Sequence, residues 1–248
     1  MPNDSSKYLI IIDPSTRHPE QEVCQRIRQL SPLPSRLYRP ALPSRLRYGA
    51  LGLNELEDLN IKQIAGLLIL GGGASPNDSL PWQTRLINWL TKKGGILESK
   101  CPILGVCYGH QLLGYLAGGQ IRMLWEEHCE KGLRSVSFTQ MTLGLKAQQD
   151  YSLVVSHREG LISLPENWHS LTPEATIYTD YQPQGVKAYE MIMHQSKPWW
   201  GVQAHIDATP EFLIQNHIKE NYPRPYAGET MIHTFLNICH GYSKLSAN

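Results

Sequence analysis

The sequence predicts an α/β protein: an open, mostly parallel central sheet flanked by helices, with an antiparallel extension. Three observations carry this reading. Short apolar runs at residues 8–13, 66–73 and 102–107 each end in a turn signal, and helical spacing follows each of them. Such runs show no alternation of apolar and polar residues, as expected of strands buried on both faces between layers of helices. Beyond residue 118 the strand-like runs become shorter and more polar, until an apolar segment returns at 198–206.

The elements follow in order. "YLIIID" at 8–13 reads as a first buried strand, closed by Asp13 and Pro14. Residues 20–30 place Val23, Ile27 and Leu30 on one helical face. A proline- and arginine-rich stretch follows, with "LPSRL" occurring at Leu33 and again at Leu42, too short a unit for a repeat architecture. Residues 54–64 are predicted as a short helix capped by Asn54. "GLLILGGG" (66–73) is a second strand, 80–93 an amphipathic helix stopped by Gly94 and Gly95, 102–107 a third strand and 110–116 the next helix. "QIRMLW", "LRSVSFT", "YSLVVS" and "ATIYT" supply the expected antiparallel additions. "PWWGVQAHI" returns to a buried strand, and 209–222 and 228–240 close the chain as two helices. Nothing between 66 and 205 resembles a flexible linker, so residues 1–248 are expected to form a single domain.

Composition narrows the function classes. Apolar residues make up 41% and charged residues 18%, enough for a real core and too ordered a mixture for a disordered chain. A net charge of +1 does not suit a nucleic-acid or acidic-membrane binder. No apolar run is long enough to span a bilayer. The start of the chain has no basic leader, so its five cysteines are expected to be reduced thiols of a cytoplasmic protein. Neither a CxxC pair nor zinc-type histidine spacing occurs, so no metal is expected. "LGGGAS" lacks the Lys-Ser/Thr of a phosphate loop, so no nucleotide cofactor is expected either.

The chemistry concentrates where the third strand ends. Gly105-Val106-Cys107-Tyr108-Gly109 has the frame of the G-x-S-x-G nucleophile elbow, with sulfur in place of oxygen. A thiol at the start of a helix meets unpaired N–H groups and the positive end of the helix dipole, both of which favour thiolate. A small buried hydrophobe at a strand end is the plainer account of Cys107. A nucleophile needs a base, and "WWGVQAHID" offers His205 at the end of another strand, with Asp207 two residues on to orient it. The glycines of "LILGGGAS" could turn bare backbone N–H groups toward a developing oxyanion.

These segments resemble the class I, triad-type glutamine amidotransferases. "GVCYGHQLL" is similar to that family's G-x-C-x-G-x-Q elbow, "GVQAHID" to its G-V-Q-F-H-P-E, and "GGGASPND" to its G-G-P-x-S-x-x-D turn. "VVSHREGLISLP" resembles a segment of stand-alone members like the glutaminase domain of GMP synthetase. The resemblance implies a flavodoxin-like fold, with Cys107 as nucleophile, His205 as base and Asp207 as orienting acid. It places the backbone N–H groups of Gly72 and Tyr108 in an oxyanion hole, with Gly73 in the same turn. Gln111 would hold the substrate, and the backbone of Ser156 and His157 would lie near its amino-acid end. Two departures stand out: Ile206-Asp207 replaces the family's Pro-Glu, and Gly73 replaces its proline, leaving that turn freer.

Three functions fit these residues. The first is hydrolysis of L-glutamine to glutamate and ammonia through a thioester, the ammonia passing to a separate synthetase or being released. The second keeps the triad and acts on another γ-glutamyl compound, as a γ-glutamyl peptidase would. The third is a catalytically silent regulatory or binding protein on the same fold. Separately, six arginines and no acid lie between Val23 and Asn54. They read either as surface charge offset by acids elsewhere, or as a docking face for an acidic partner or anionic substrate.

Overall fold

The computed structural model describes residues 7–124, 129–173, 175–179 and 182–245. In chain order the strands and α-helices are β1 (Tyr8–Ile12), α1 (Gln21–Leu30), β2 (Ser35–Tyr38), α2 (Leu53–Glu57), β3 (Ile64–Ile69) and α3 (Pro81–Thr91). Next come β4 (Ile103–Val106), α4 (Tyr108–Leu116), β5 (Ile121–Met123), β6 (Glu130–Ser137), β7 (Asp150–His157) and β8 (Glu159–Leu161). The chain closes with β9 (Trp168–Ser170), β10 (Ala175–Thr179), β11 (Gln182–Ala188), β12 (Met191–His194), β13 (Trp199–Val202), α5 (Pro210–Gln215) and α6 (Ala227–Leu245).

Seven strands form the central sheet in the order β2-β1-β3-β4-β13-β12-β9. The first five are mutually parallel, and β12 and β9 add antiparallel at one side. This is the predicted mostly parallel sheet. Alternate residues of β1 point to opposite faces, as strand geometry requires. Leu9 and Ile11 join one apolar cluster with Val23 and Ile27 of α1 and Phe235 of α6; Ile10 and Ile12 join another with Leu86 and Trp89 of α3 and Leu112 of α4. Helices therefore cover both faces, which is why the strands read as unbroken apolar runs. A Cβ at Gly66 would overlap the sulfur of Cys239, so α6 lies directly on β3.

The antiparallel extension forms two-stranded pairs: β5 with β8, β6 with β7, and β10 with β11. The strand expected at 120–125 is shorter, as β5, and Trp125 lies outside the described residues. Among the described residues, no helix is long and apolar enough to cross a membrane.

Several expected boundaries move, each for a local reason. The helix expected at 54–64 is only α2, which begins after Gly52, with Glu55 reaching back to the Gly52 N–H at 3.0 Å. Asn60, not Asn54, caps the following 3-10 turn at Ile61–Gln63 by accepting from the Lys62 N–H. The helix expected at 209–222 stops at Gln215. His217 is left-handed (φ 56°), and the N–H groups of His217 and Ile218 return to Ile214 and Leu213, a Schellman closure. β2, β8, β9, β11 and β12 were not expected.

Candidate active site

The carboxyl ends of β1, β3, β4 and β13 meet at one edge of the sheet, the place where open α/β sheets hold ligands. Cys107 caps α4 there with φ 49° and ψ −102°, a strained turn between strand and helix. Its N–H bonds the Val202 carbonyl at 2.8 Å, tying the elbow to the end of β13. The flanking glycines are required by contact: a Cβ at Gly105 would overlap the Gly109 carbonyl, and one at Gly109 would overlap that of Ile69. Helix and strands therefore approach closely enough to bring the sulfur to the sheet edge.

His205 lies in the turn after β13, three residues beyond its end, and is buried. Its Nδ1 is 3.3 Å from Asp207 Oδ1. Tyr226 of the segment before α6 donates to the His205 carbonyl at 2.6 Å and accepts from the Val154 N–H, locking the turn in place. Burial opposes a charged imidazole, yet the Cys107 sulfur and bonding to Asp207 and Cys107 hold the His205 pKa well above its ordinary value. A Cβ at Gly71 would come within 2.6 Å of His205 Cε1 and 3.5 Å of the Cys107 Cβ, so only glycine lets these two side chains meet across β3's exit.

Gly72 follows at the same exit, against Pro14. Tyr108 is the first residue of α4, so its N–H has no carbonyl partner within the helix. Gly73 has open space around it, and the turn's order comes from elsewhere. Ser75 N–H donates to Asp78 and Asn77 N–H to Ser75 Oγ, while Gln83 Nε2 donates to the Ser75 carbonyl at 2.7 Å.

A cavity of about 630 Å³ opens over these groups, and Cys107, His205, Gly72, Gly73, Gln111, Ser156 and His157 all line it. Asp207 stands behind His205 and does not line it. Gln111 donates through Nε2 to the Glu159 carbonyl at 2.8 Å and to Gln203 Oε1 at 3.2 Å. His157 Nε2 lies 3.0 Å from Glu130, whose carboxylate also meets Arg134. Among the described residues, no group of three or more His, Cys, Asp or Glu is arranged to hold a metal ion.

Two site residues were not singled out from the sequence. Glu20, at the end of "DPSTRHPE", lines the cavity from the loop between β1 and α1. Burial, and then the charge of Asp207, raise its pKa to about 7. Its sequence signal was weak: a polar turn after a buried strand. Gln203 donates to the Cys107 sulfur at 3.7 Å. It stands inside the quoted "GVQAHID", but only the fold brings it to the thiol.

A strand-to-helix cysteine facing a histidine–carboxylate pair on the neighbouring parallel strand is an arrangement suited to acyl transfer. The family model described as Glutamine amidotransferase class-I matches residues 48–222. The chain belongs to the class I glutamine amidotransferases. It is 27% identical over 165 residues to the smaller, glutamine-hydrolyzing component of a two-part GMP synthase from Methanococcus aeolicus, covering 66% of this chain and 74% of the relative. It is 24% identical over 237 residues to the GMP synthase (glutamine-hydrolyzing) of Staphylococcus saprophyticus, covering 94% of this chain but only 39% of that longer protein. The fold is shared with a glutamine amidotransferase from Thermotoga maritima at TM-score 0.62 and 14% identity, covering 96% of this chain and 98% of that one.

Proposed function

We propose that this chain hydrolyses the side-chain amide of glutamine to glutamate and ammonia, with Cys107, His205 and Asp207 as its catalytic triad. The observation that carries the reading is the convergence of sulfur, imidazole and carboxylate over one cavity. The thiolate of Cys107 attacks the amide carbon, and the oxyanion that forms is met by the N–H groups of Gly72 and Tyr108. The imidazolium of His205 gives its proton to the departing nitrogen, breaking the C–N bond and leaving a γ-glutamyl thioester. His205 then takes a proton from water as the water attacks, and glutamate leaves with return of the thiolate. A raised His205 pKa supports an imidazolium ready to serve as acid. The backbone of Ser156 and His157, on the cavity wall, would face the amino-acid end of the substrate.

The relative from Methanococcus aeolicus is named as one subunit of its synthase. This supports a separate synthetase chain as the acceptor of the ammonia. A second reading, hydrolysis of larger γ-glutamyl compounds, is favoured by the reach of the cavity. It extends past the thiol to Arg17, His18, Lys131 and Arg158, more wall than the side chain of glutamine needs.

Glutamate release from glutamine and from a γ-glutamyl dipeptide decides between them. The expected result is measurable release from glutamine, and loss of at least about a thousandfold in Cys107→Ser, whose hydroxyl is a far weaker nucleophile at neutral pH. A marked preference for the dipeptide would favour the second reading. Absence of release from either substrate, with candidate synthetases present as well as absent, would sink both.

A further inference from the structure

We infer that Gln203 is a fourth catalytic group: a fixed amide donor to the Cys107 sulfur, aimed by Gln111 and the main chain of Glu159. This rests on the reading of Cys107 as nucleophile. Gln203 is 1% exposed and Gln111 4%, so neither amide is set by solvent. The direction of both amides follows from one group that can only accept. The Glu159 carbonyl lies 2.8 Å from the Gln111 amide, which must therefore present its NH2 there. That same NH2 is 3.2 Å from the Gln203 amide, which must answer with its oxygen. What remains is the Gln203 NH2, and it faces the sulfur at 3.7 Å. The Gln203 backbone is fixed as well, its N–H donating to the Glu190 carbonyl at 2.8 Å. The side chain of Glu190 is in turn paired with Arg134, which also holds Glu130.

A neutral amide on a thiolate makes a charge-assisted hydrogen bond, stronger than the bond it makes to a thiol or thioester sulfur. Gln203 gives up no proton. It stabilises the thiolate before attack, and again when the C–S bond breaks and the electron pair returns to sulfur. The imidazole of His205, with Asp207 and Glu20 beyond it, supplies the other charges facing this sulfur. Gln111 and Glu159 act as positioning residues.

The test uses the whole chain and no glutamine. Iodoacetamide alkylation at pH 7 is mapped to Cys107, and the ultraviolet absorbance of its thiolate is read against Cys107→Ser. Gln203→Met, which keeps the length and loses the donor, is expected to slow alkylation of Cys107 about tenfold and to reduce the thiolate signal. Gln203→Glu keeps an acceptor for Gln111 but turns a carboxylate on the sulfur, and is expected to lose more. Gln111→Met leaves the Gln203 amide undirected, and should slow alkylation by about threefold. Wild-type alkylation and absorbance in folded Gln203→Met would overturn the inference. Should the Gln203 variants not fold, wild-type values in Gln111→Met would overturn it equally. Because glutamine is not used, a chain that fails to hydrolyse glutamine still reports on the donor. Normal glutamine hydrolysis alongside an unmoved thiolate would reject the inference alone.

Discussion

At the scale of single residues, Asp207 is the point where this site departs most from its family. Its Oδ1 is 3.3 Å from His205 Nδ1, at the long end for such a bond. The turn that carries it is tightly built. Ile206 N–H returns to Ala204, Ala208 N–H returns to His205, and Tyr226 clamps the His205 carbonyl. An orienting carboxylate fixes the imidazole tautomer and stabilises the imidazolium without taking the proton, and its loss in a serine triad costs about ten-thousandfold. A thiolate forms with less help, so Asp207→Ala is expected to lower glutamine hydrolysis by about ten- to a thousandfold, short of the loss in Cys107→Ala. The Asp207 side chain is 2% exposed, so the extra methylene of Asp207→Glu has nowhere to go and is expected to lower the rate too. Steady-state rates of the two variants check both. Full activity in Asp207→Ala would remove this residue from the triad. A faster Asp207→Glu enzyme would mean that aspartate is a weakened substitute.

At the scale of elements, the loop between β1 and α1 is anchored by a buried ion pair and ends in a titratable group. Asp13, fully buried, accepts from the N–H groups of Ser15 and Glu20 and from Arg39 Nε at 2.9 Å. This holds Glu20 beside the His205–Asp207 pair. With its pKa raised to about 7, Glu20 keeps its proton in the folded state where the unfolded chain would already release it. Its contribution to stability is therefore complete below the ordinary carboxylate range and is lost as pH rises through about 7. Glu20→Gln carries no such loss. Its melting temperature relative to wild type is expected to climb by about 2–6 °C between pH 5 and pH 8. Parallel melting curves across that range would contradict the assignment.

Elements also show what local sequence can and cannot settle. Runs such as 8–13 and 102–107 were legible because burial on both faces leaves no polar position. The nucleophile elbow was legible because its glycines sit where backbone meets backbone. The two copies of "LPSRL" were not. The first supplies the edge strand β2, with Leu37 and Tyr38 paired to Ile11 and Ile12; in the second, Ser44–Leu46 forms a 3-10 turn. The same five residues take two structures because only the first finds an open parallel edge. β9 and β12 were missed for a similar reason: they join β13 through antiparallel pairing, are partly exposed, and their short runs carry little pattern. Gln203 could be read as part of a motif, but its contact with sulfur joins segments far apart in the chain.

At the scale of the whole molecule, the arginine-rich stretch between α1 and α2 turns inward. Arg39 pairs with Asp13, Arg26 with Glu229 of α6, and Arg47 Nε bonds the Leu42 carbonyl, while Arg36 lies over the Tyr8 ring at 4.0 Å. Four of the six arginines thus have partners within the chain, which favours charge offset by internal partners over a single docking face. The same view bears on the cysteines. Burial pushes the thiols of Cys24, Cys101 and Cys239 well up, so they stay protonated and unreactive. Cys129 is partly exposed and lines the same cavity as Cys107, which makes it the informative control. Only Cys107 has both the start of a nine-residue helix and the imidazole of His205 beside it.

Peptide mapping after reaction with a glutamine-like electrophile, with and without excess glutamine, tests the central claim most directly. The account predicts one adduct per chain, on Cys107, slowed by glutamine and absent in Cys107→Ser. An adduct on Cys129 instead, or labelling of Cys107 that glutamine leaves untouched, would contradict it.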